Sequence, residues 1–207
     1  MTEQAAAPPE KLDAAVFKIA GVVVLGAVMS ILDITVVSVA LPTFQIEFNA
    51  TYAQVAWTLT GYTLALATVI PLSGWAADRF GTKRLYMMAL ALFTIGSALC
   101  ATADSINQLI GYRVLQGLGG GMLMPLGMTI MTRAAGPERI GRLMAILGIP
   151  MLLGPIGGPI LGGWLIEAAS WHWIFLINVP ISRMPMAAGS RTLVAATVPS
   201  PGIAETP

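Results

Sequence analysis

Five long apolar runs decide most of what this chain can become. They cover about residues 19–41, 52–74, 85–103, 106–132 and 143–166, each long enough to cross a hydrocarbon layer as a helix. The first is too long for a secretory signal peptide, and no A-x-A cleavage site follows it. Composition agrees, with 56% hydrophobic and 10% charged residues and a mean hydropathy of +0.78. Soluble domains carry about 25% charged residues, so a water-soluble fold is excluded and an all-α polytopic membrane protein of five to six spans is predicted. A net charge of +1 with no clustered basic face gives no reason to expect nucleic acid. The single Cys100, without a CxxC or His/Cys cluster, predicts neither an internal disulfide nor a metal site.

Lys and Arg alternate from one connection to the next. Lys11 and Lys18 precede the first span, and PTFQIEFNA (42–50) has no cation. Arg79, Lys83 and Arg84 follow the second span, ATADSINQ (101–108) again has none, and Arg133, Arg139 and Arg142 follow the fourth. The segment after the fifth carries Glu167 and His172 but no Lys or Arg. The positive-inside rule then places the N-terminus in the cytoplasm. His172, between Trp171 and Trp173, reads as part of an aromatic interfacial anchor rather than a ligand. A sixth helix should begin near Trp171 as WHWIFLINVPI. After Ile181 the pattern fails: Arg183 falls near mid-bilayer depth, and Arg191, Pro185, Pro199 and Pro201 follow. The chain therefore divides into an N-terminal tail (1–15), a transmembrane bundle (16–181) and an atypical tail (182–207), as after a frameshift or a truncated reading frame.

Two charges lie inside spans. Asp33 occupies the middle of ILDITVVSVALP (31–42), with Ser30 one turn before it; a carboxylate at such depth costs roughly 2.5–3.5 kcal/mol on insertion scales. The first span runs outward and the fourth inward, so Asp33 and Arg113 lie about 12 and about 10 Å from their outer ends. Opposite charges at one depth predict either a cavity lined by both helices or a static ion pair that fixes their packing.

Small residues add a second pattern. On the fourth span Arg113, Gln116, Gly117, Gly120, Gly121 and Met124 share one helical face, and a phosphate-cradling reading of LGGG lacks both the strand and the GK[ST] it needs. In GPIGGPILGGWL (154–165), Gly154, Gly158 and Gly162 recur every four residues, a stripe for close helix contact. Pro150, Pro155 and Pro159 each remove a backbone donor and invite bends, which suits either gating or plain packing. In GWAADRFGTKR (74–84), Gly74 and Gly81 would permit a tight turn. The cations there orient the helices, and Asp78 could latch a helix end or an arginine such as Arg133.

These stretches resemble the major facilitator superfamily. GWAADRFGTKR is similar to its loop signature G-x-L-A-D-R-x-G-R-K-R, with Ala76 for Leu and Thr82 for a basic residue. RVLQGLGGG resembles the motif R-x-x-x-G, whose arginine is assigned to proton transfer and maps onto Arg113. GPIGGPILGG resembles the antiporter motif G-P-x-x-G-P-x-x-G-G, mapping onto Gly154, Pro155, Gly158, Pro159, Gly162 and Gly163. LDITVVSVALP is similar to the first-helix signature of the fourteen-helix drug:proton antiporter branch, with Ser38 for Asn. WHWIFLINVPI resembles that branch's W-R-W-I-F-x-I-N-V-P-I-G, with His172 for Arg and Ser182 for Gly. The likeness covers roughly 15–181.

The resemblance implies the N-terminal bundle of a multi-pass plasma-membrane efflux carrier exchanging lipophilic compounds for protons. With no nucleophile–base set or metal cluster at a membrane face, no enzyme is expected; such a carrier would use the proton gradient without a cofactor, and a second half-transporter or a homodimer would give it a unit to move against. It further implies Asp33 and Arg113 as the proton-coupling pair, and Gly74, Asp78, Arg79, Gly81, Lys83 and Arg84 as a cytoplasmic gate loop. The fifth span would be a rocking contact. Rival readings are a non-transporting fragment or regulator that packs against full-length transporters, and an uptake carrier of the same superfamily. Twelve methionines suit greasy ligands.

Overall fold

The computed structural model describes residues 14–135 and 140–195. The expected N-terminal tail falls almost wholly outside these, as do Lys11, Arg139, Pro199 and Pro201. The described residues form seven helices: α1 (Ala14–Glu47), α2 (Tyr52–Phe80), α3 (Thr82–Cys100), α4 (Ile106–Ala135), α5 (Ile140–Ala168), α6 (Trp173–Leu176) and α7 (Asn178–Ala195). Five are long and apolar enough to cross a membrane, and no strand occurs among the described residues. This is a multi-pass helical membrane protein.

The first helix outruns its expected end. Pro42 lies inside α1 because the turn beyond it is anchored: Phe44 is fully buried, edge-on to Trp171 at 5.5 Å and stacked on Phe175 at 6.3 Å. In apolar surroundings neighbouring helices let a proline stay helical. Thr51 and Gln54 then form a capping box that starts α2, with the Thr51 N–H donating to Gln54 Oε1 at 2.9 Å.

The segment 74–84 is not a loop. Gly74 sits within α2, which runs to Phe80, and the whole turn into α3 is made at Gly81 with φ +86°. The expected turn role of Gly74 is therefore wrong; helical hydrogen bonding runs straight through it. At Gly81 a Cβ would be strained whatever the room around it. Gly81→Val is expected to destabilise the bundle by about 1–3 kcal/mol, whereas Gly74→Ala, with open space at its Cβ, should be neutral or stabilising. Thermal unfolding in detergent compares the two; equal losses would remove the turn assignment.

Helix α4 wedges between α2 and α3, and its glycines explain how. A Cβ on Gly117 would lie 2.5 Å from the Tyr62 carbonyl oxygen, and one on Gly119 would lie 2.5 Å from the Phe93 nitrogen. Helix α1 pairs with α5 and also touches α2, α4 and α7. Apolar side chains gather in two clusters. One, with Val23, Tyr86, Phe93 and Leu126, lies toward the α2–α3 turn. The other, with Val37, Phe44, Leu109 and Phe175, lies toward the α1–α2 turn.

The sixth helix starts where the sequence places it but is broken at Ile177 into α6 and α7, neither of which is among the five candidate spans. Two buried hydrogen bonds set that break: Ser97 Oγ donates to the Phe175 carbonyl at 2.9 Å, and Asn178 Nδ2 donates to Ser97 Oγ at 3.0 Å. Helix α7 continues through Ile181 and Pro185 to Ala195, so the boundary after 181 is no end of helix. Arg183 faces outward rather than into the bundle. The aromatic trio does not act as one anchor. Trp171 is buried against Phe44, Phe48 and Phe175, His172 stacks on it at 3.8 Å, and Trp173 alone is half exposed.

Candidate functional site

Between the two apolar clusters lies a polar layer. Asp33 of α1 and Arg113 of α4 meet there as an ion pair, Arg113 Nη1 on Asp33 Oδ2, with both side chains wholly buried. Gln116, one turn beyond Arg113, serves both partners. Its Nε2 donates to Asp33 Oδ1 at 2.8 Å, and its Oε1 accepts from Arg113 Nη1 at 2.8 Å. That oxygen also accepts from Cys100 Sγ at 3.6 Å. The Arg113 Nε donates to the Thr58 carbonyl at 3.2 Å, and the guanidinium lies 4.1 Å from the centre of the Tyr62 ring. Tyr62 in turn bonds Ser30 through its hydroxyl at 3.2 Å.

The physical logic is compensation. A charge removed from water is tolerable only when paired and hydrogen-bonded, and Asp33 has both oxygens occupied. The guanidinium has a counter-ion, two acceptors and an aromatic face; only Arg113 Nη2 lacks a hydrogen-bond partner. The set contains one group that can gain a proton, one that stays charged, and one amide that can donate and accept. That combination can couple protonation to helix movement, because a neutral Asp33 would release Arg113 from its counter-ion.

The other candidate residues lie elsewhere. On α5, a Cβ on Gly154 would collide with Ile31, one on Gly158 with Thr35, and one on Gly162 would come within 3.2 Å of Val36. The glycine stripe is thus the seam between α5 and α1 inside the bundle. Pro155 and Pro159 are exposed, and Gly163 has open space around its Cβ. Asp78 is exposed near the α2–α3 turn, and Arg133 does not meet it: its Nη1 donates to Thr82 Oγ1 at 3.3 Å. Arg79 lies 6.0 Å from the Trp75 ring, Lys83 is part-buried, and Arg84 is exposed. The residues of the α2–α3 turn stand apart from the ion pair, whereas the α5 seam meets α1 at Ile31 and Thr35, two residues either side of Asp33.

Three participants had no assigned role at the sequence level. Gln116 was legible only as a member of the Arg113 face, though i+3 spacing on one helix is the signal that it would reach the same partner. Nothing in sequence pointed to Tyr62 or the Thr58 carbonyl, because their approach depends on how α2 packs on α4.

Comparison with known proteins identifies relatives of this chain. A multidrug resistance protein B homolog of Mycobacterium tuberculosis is 61% identical over 173 residues, covering 84% of this chain and 32% of that protein. The multidrug resistance proteins named MdtD in Yersinia enterocolitica and Serratia proteamaculans are 42% and 41% identical over 160 residues, covering 77% of this chain and 34% of theirs. The chain therefore spans about a third of the length of the curated relatives it matches. A sequence profile of the Major Facilitator Superfamily matches residues 23–184, and the chain belongs to that superfamily.

Proposed function

We infer that this chain forms the first helical bundle of a proton-coupled multidrug efflux carrier in a bacterial plasma membrane. The observation that carries this reading is the wholly buried Asp33–Arg113–Gln116 network in a chain similar to proteins named for multidrug resistance. A titratable acid at that depth has a use in binding and releasing protons, and its cost is offset by the partners around it. The alternation of Lys and Arg supports a cytoplasmic N-terminus, which puts the α2–α3 turn inside and the α1–α2 turn outside. The work is transport rather than bond chemistry, with the proton gradient as its energy source and no cofactor. Alternating access needs an opposing bundle, supplied by a second half-transporter or a second copy of this chain.

The test co-expresses this chain with the remaining portion of the 61%-identical relative in a drug-sensitive bacterium. Lipophilic dye efflux should appear with both polypeptides, collapse on adding a protonophore, and fall at least ten-fold with Asp33→Asn. The chain expressed alone should move no dye. Efflux indifferent to the protonophore would remove proton coupling, and efflux by the chain alone would assign the opposing bundle to a second copy.

A further inference from the structure

Arg113 is gripped from two sides, and only one of them loses its attraction when a proton binds. On the α1 side stands Asp33. On the α2 side stand the Thr58 carbonyl, which accepts from Arg113 Nε at 3.2 Å, and the Tyr62 ring, whose centre lies 4.1 Å from the guanidinium carbon. Thr58 and Tyr62 are one helical turn apart, and both are fully buried. Two glycines of α4 make room for this approach. A Cβ on Gly117 would lie 2.5 Å from the Tyr62 carbonyl oxygen, and one on Gly120 would lie 2.6 Å from the Tyr62 hydroxyl. The Phe175 ring of α6 is farther away, at 5.8 Å.

We propose that Tyr62 is a positioning residue: with the Thr58 carbonyl it forms a dock on α2 that keeps Arg113 seated when Asp33 is neutral, so that protonation frees α1 rather than the arginine. The inference rests on the proton-coupled reading of Asp33 and names what holds its partner. A guanidinium stays charged when its counter-ion is neutralised, and a buried cation then needs other partners. A carbonyl oxygen and a ring face keep their attraction, which is stronger away from water. The glycines say which helix yields. Gly117 and Gly121 seat α4 on the α2 backbone, and Gly96 and Gly119 bring the α3 and α4 backbones together, whereas the glycine stripe of α5 seats that helix on α1. Arg113 therefore belongs to a block of α2, α3 and α4, and Asp33 to the pair α1 and α5. The titratable or charged groups that face Asp33 are Arg113, Tyr62 and Cys100, all on that block. Helix α5 carries no charge between Arg142 and Glu167, and Arg183 of α7 faces outward.

The test uses the purified chain in lipid nanodiscs with nitrogen-15 arginine. Among the described arginines Arg113 alone is buried. Its Nε–H should exchange slowly with deuterated solvent and carry the upfield shift of a proton over a ring face, and Arg113→Lys should remove the signal. Asp33→Asn should leave both properties in place. Tyr62→Leu should abolish the upfield shift but not the protection, because Asp33 still holds the guanidinium. Asp33→Asn/Tyr62→Leu should exchange at least about ten-fold faster than Asp33→Asn, while Asp33→Asn/Tyr62→Phe, which keeps the ring, should not. If the leucine double variant fails to fold, Gly120→Ala, which presses one methyl against the Tyr62 hydroxyl, takes its place beside Asp33→Asn and should quicken exchange in the same direction.

Protection lost in Asp33→Asn alone, a leucine double variant no faster than Asp33→Asn, or a phenylalanine variant as fast as the leucine one would each overturn the dock. In the co-expressed carrier Tyr62→Leu should cut protonophore-sensitive dye efflux at least about ten-fold, and Tyr62→Phe should restore most of it. Protonophore-sensitive efflux together with an unprotected Arg113 in Asp33→Asn overturns this proposal alone. Efflux indifferent to the protonophore, with the exchange pattern as expected, overturns the transport reading and supports the dock.

Discussion

Asp33→Leu is expected to destabilise the bundle by about 3–5 kcal/mol, the cost of leaving a buried charge without its partner. Arg113→Met should cost less, although it deletes the larger side chain. The asymmetry is chemical: an orphaned carboxyl can bind a proton and become neutral, while a guanidinium cannot shed one. The double variant Asp33→Leu/Arg113→Met replaces the pair with apolar groups of similar bulk and should recover more than half of the Asp33→Leu loss. Recovery will be incomplete because Gln116 hydrogen-bonds both residues and would be left buried without either. Reversible unfolding in mixed micelles, read as a double-mutant cycle, measures the coupling. If the two single losses simply add in the double variant, the ion pair contributes nothing to the fold.

The second large effect lies at the seam between α1 and α5. A Cβ on Gly158 would collide with Thr35 Oγ1 and lie 2.6 Å from Thr35 Cβ. Gly158→Ala must therefore push two helices apart along the seam where Gly154, Gly158 and Gly162 meet Ile31, Thr35 and Val36. Overpacking of this kind costs about 1–3 kcal/mol, and Gly158→Leu should exceed it. Thr35→Gly removes both atoms that the new methyl meets and should return a good part of the Gly158→Ala loss. Gly157→Ala, one residue away with open space at its Cβ, should be neutral. Thermal unfolding of the four variants is the measurement. A loss at Gly157 equal to that at Gly158 would mean that helix flexibility, not the seam, is what glycine supplies here.

Both predictions depend on facts of different legibility. That Asp33 and Arg113 share a depth followed from span boundaries and topology, since a helix advances a fixed distance per residue. That Gln116 bridges them was half visible, as a polar residue one turn from Arg113 on the same face. The role of Gly158 was visible as a stripe, but its partner was not. The stripe could equally have faced an opposing bundle, and the fold instead turns it inward onto Ile31, Thr35 and Val36. Gly74 illustrates the opposite failure. A glycine in a short polar segment reads as a turn, yet one positive φ at Gly81 was enough to join α2 to α3, and Gly74 remained helical.

Pro42 and Trp171 share a cause. Sequence reading ends a helix at proline and sends tryptophan to the interface, because both rules average over surroundings. Here Phe44, Phe48, Trp171 and Phe175 form one aromatic cluster, which holds α1 helical beyond Pro42 and draws Trp171 inward. The break at Ile177 is likewise set by Ser97 from another helix. None of these contacts is local in sequence.

The sequence by itself determined the class, the approximate limits of five spans, and the presence of two opposed charges at one depth. Those properties follow from hydrophobic run length and helical rise, which act within each segment. Tertiary structure alone decided which faces meet: that Tyr62 covers Arg113, that the glycines of α5 seat on α1, and that α4 and α5 barely meet. Side-chain volume and backbone approach between segments set those outcomes, and they exist only once the helices have packed.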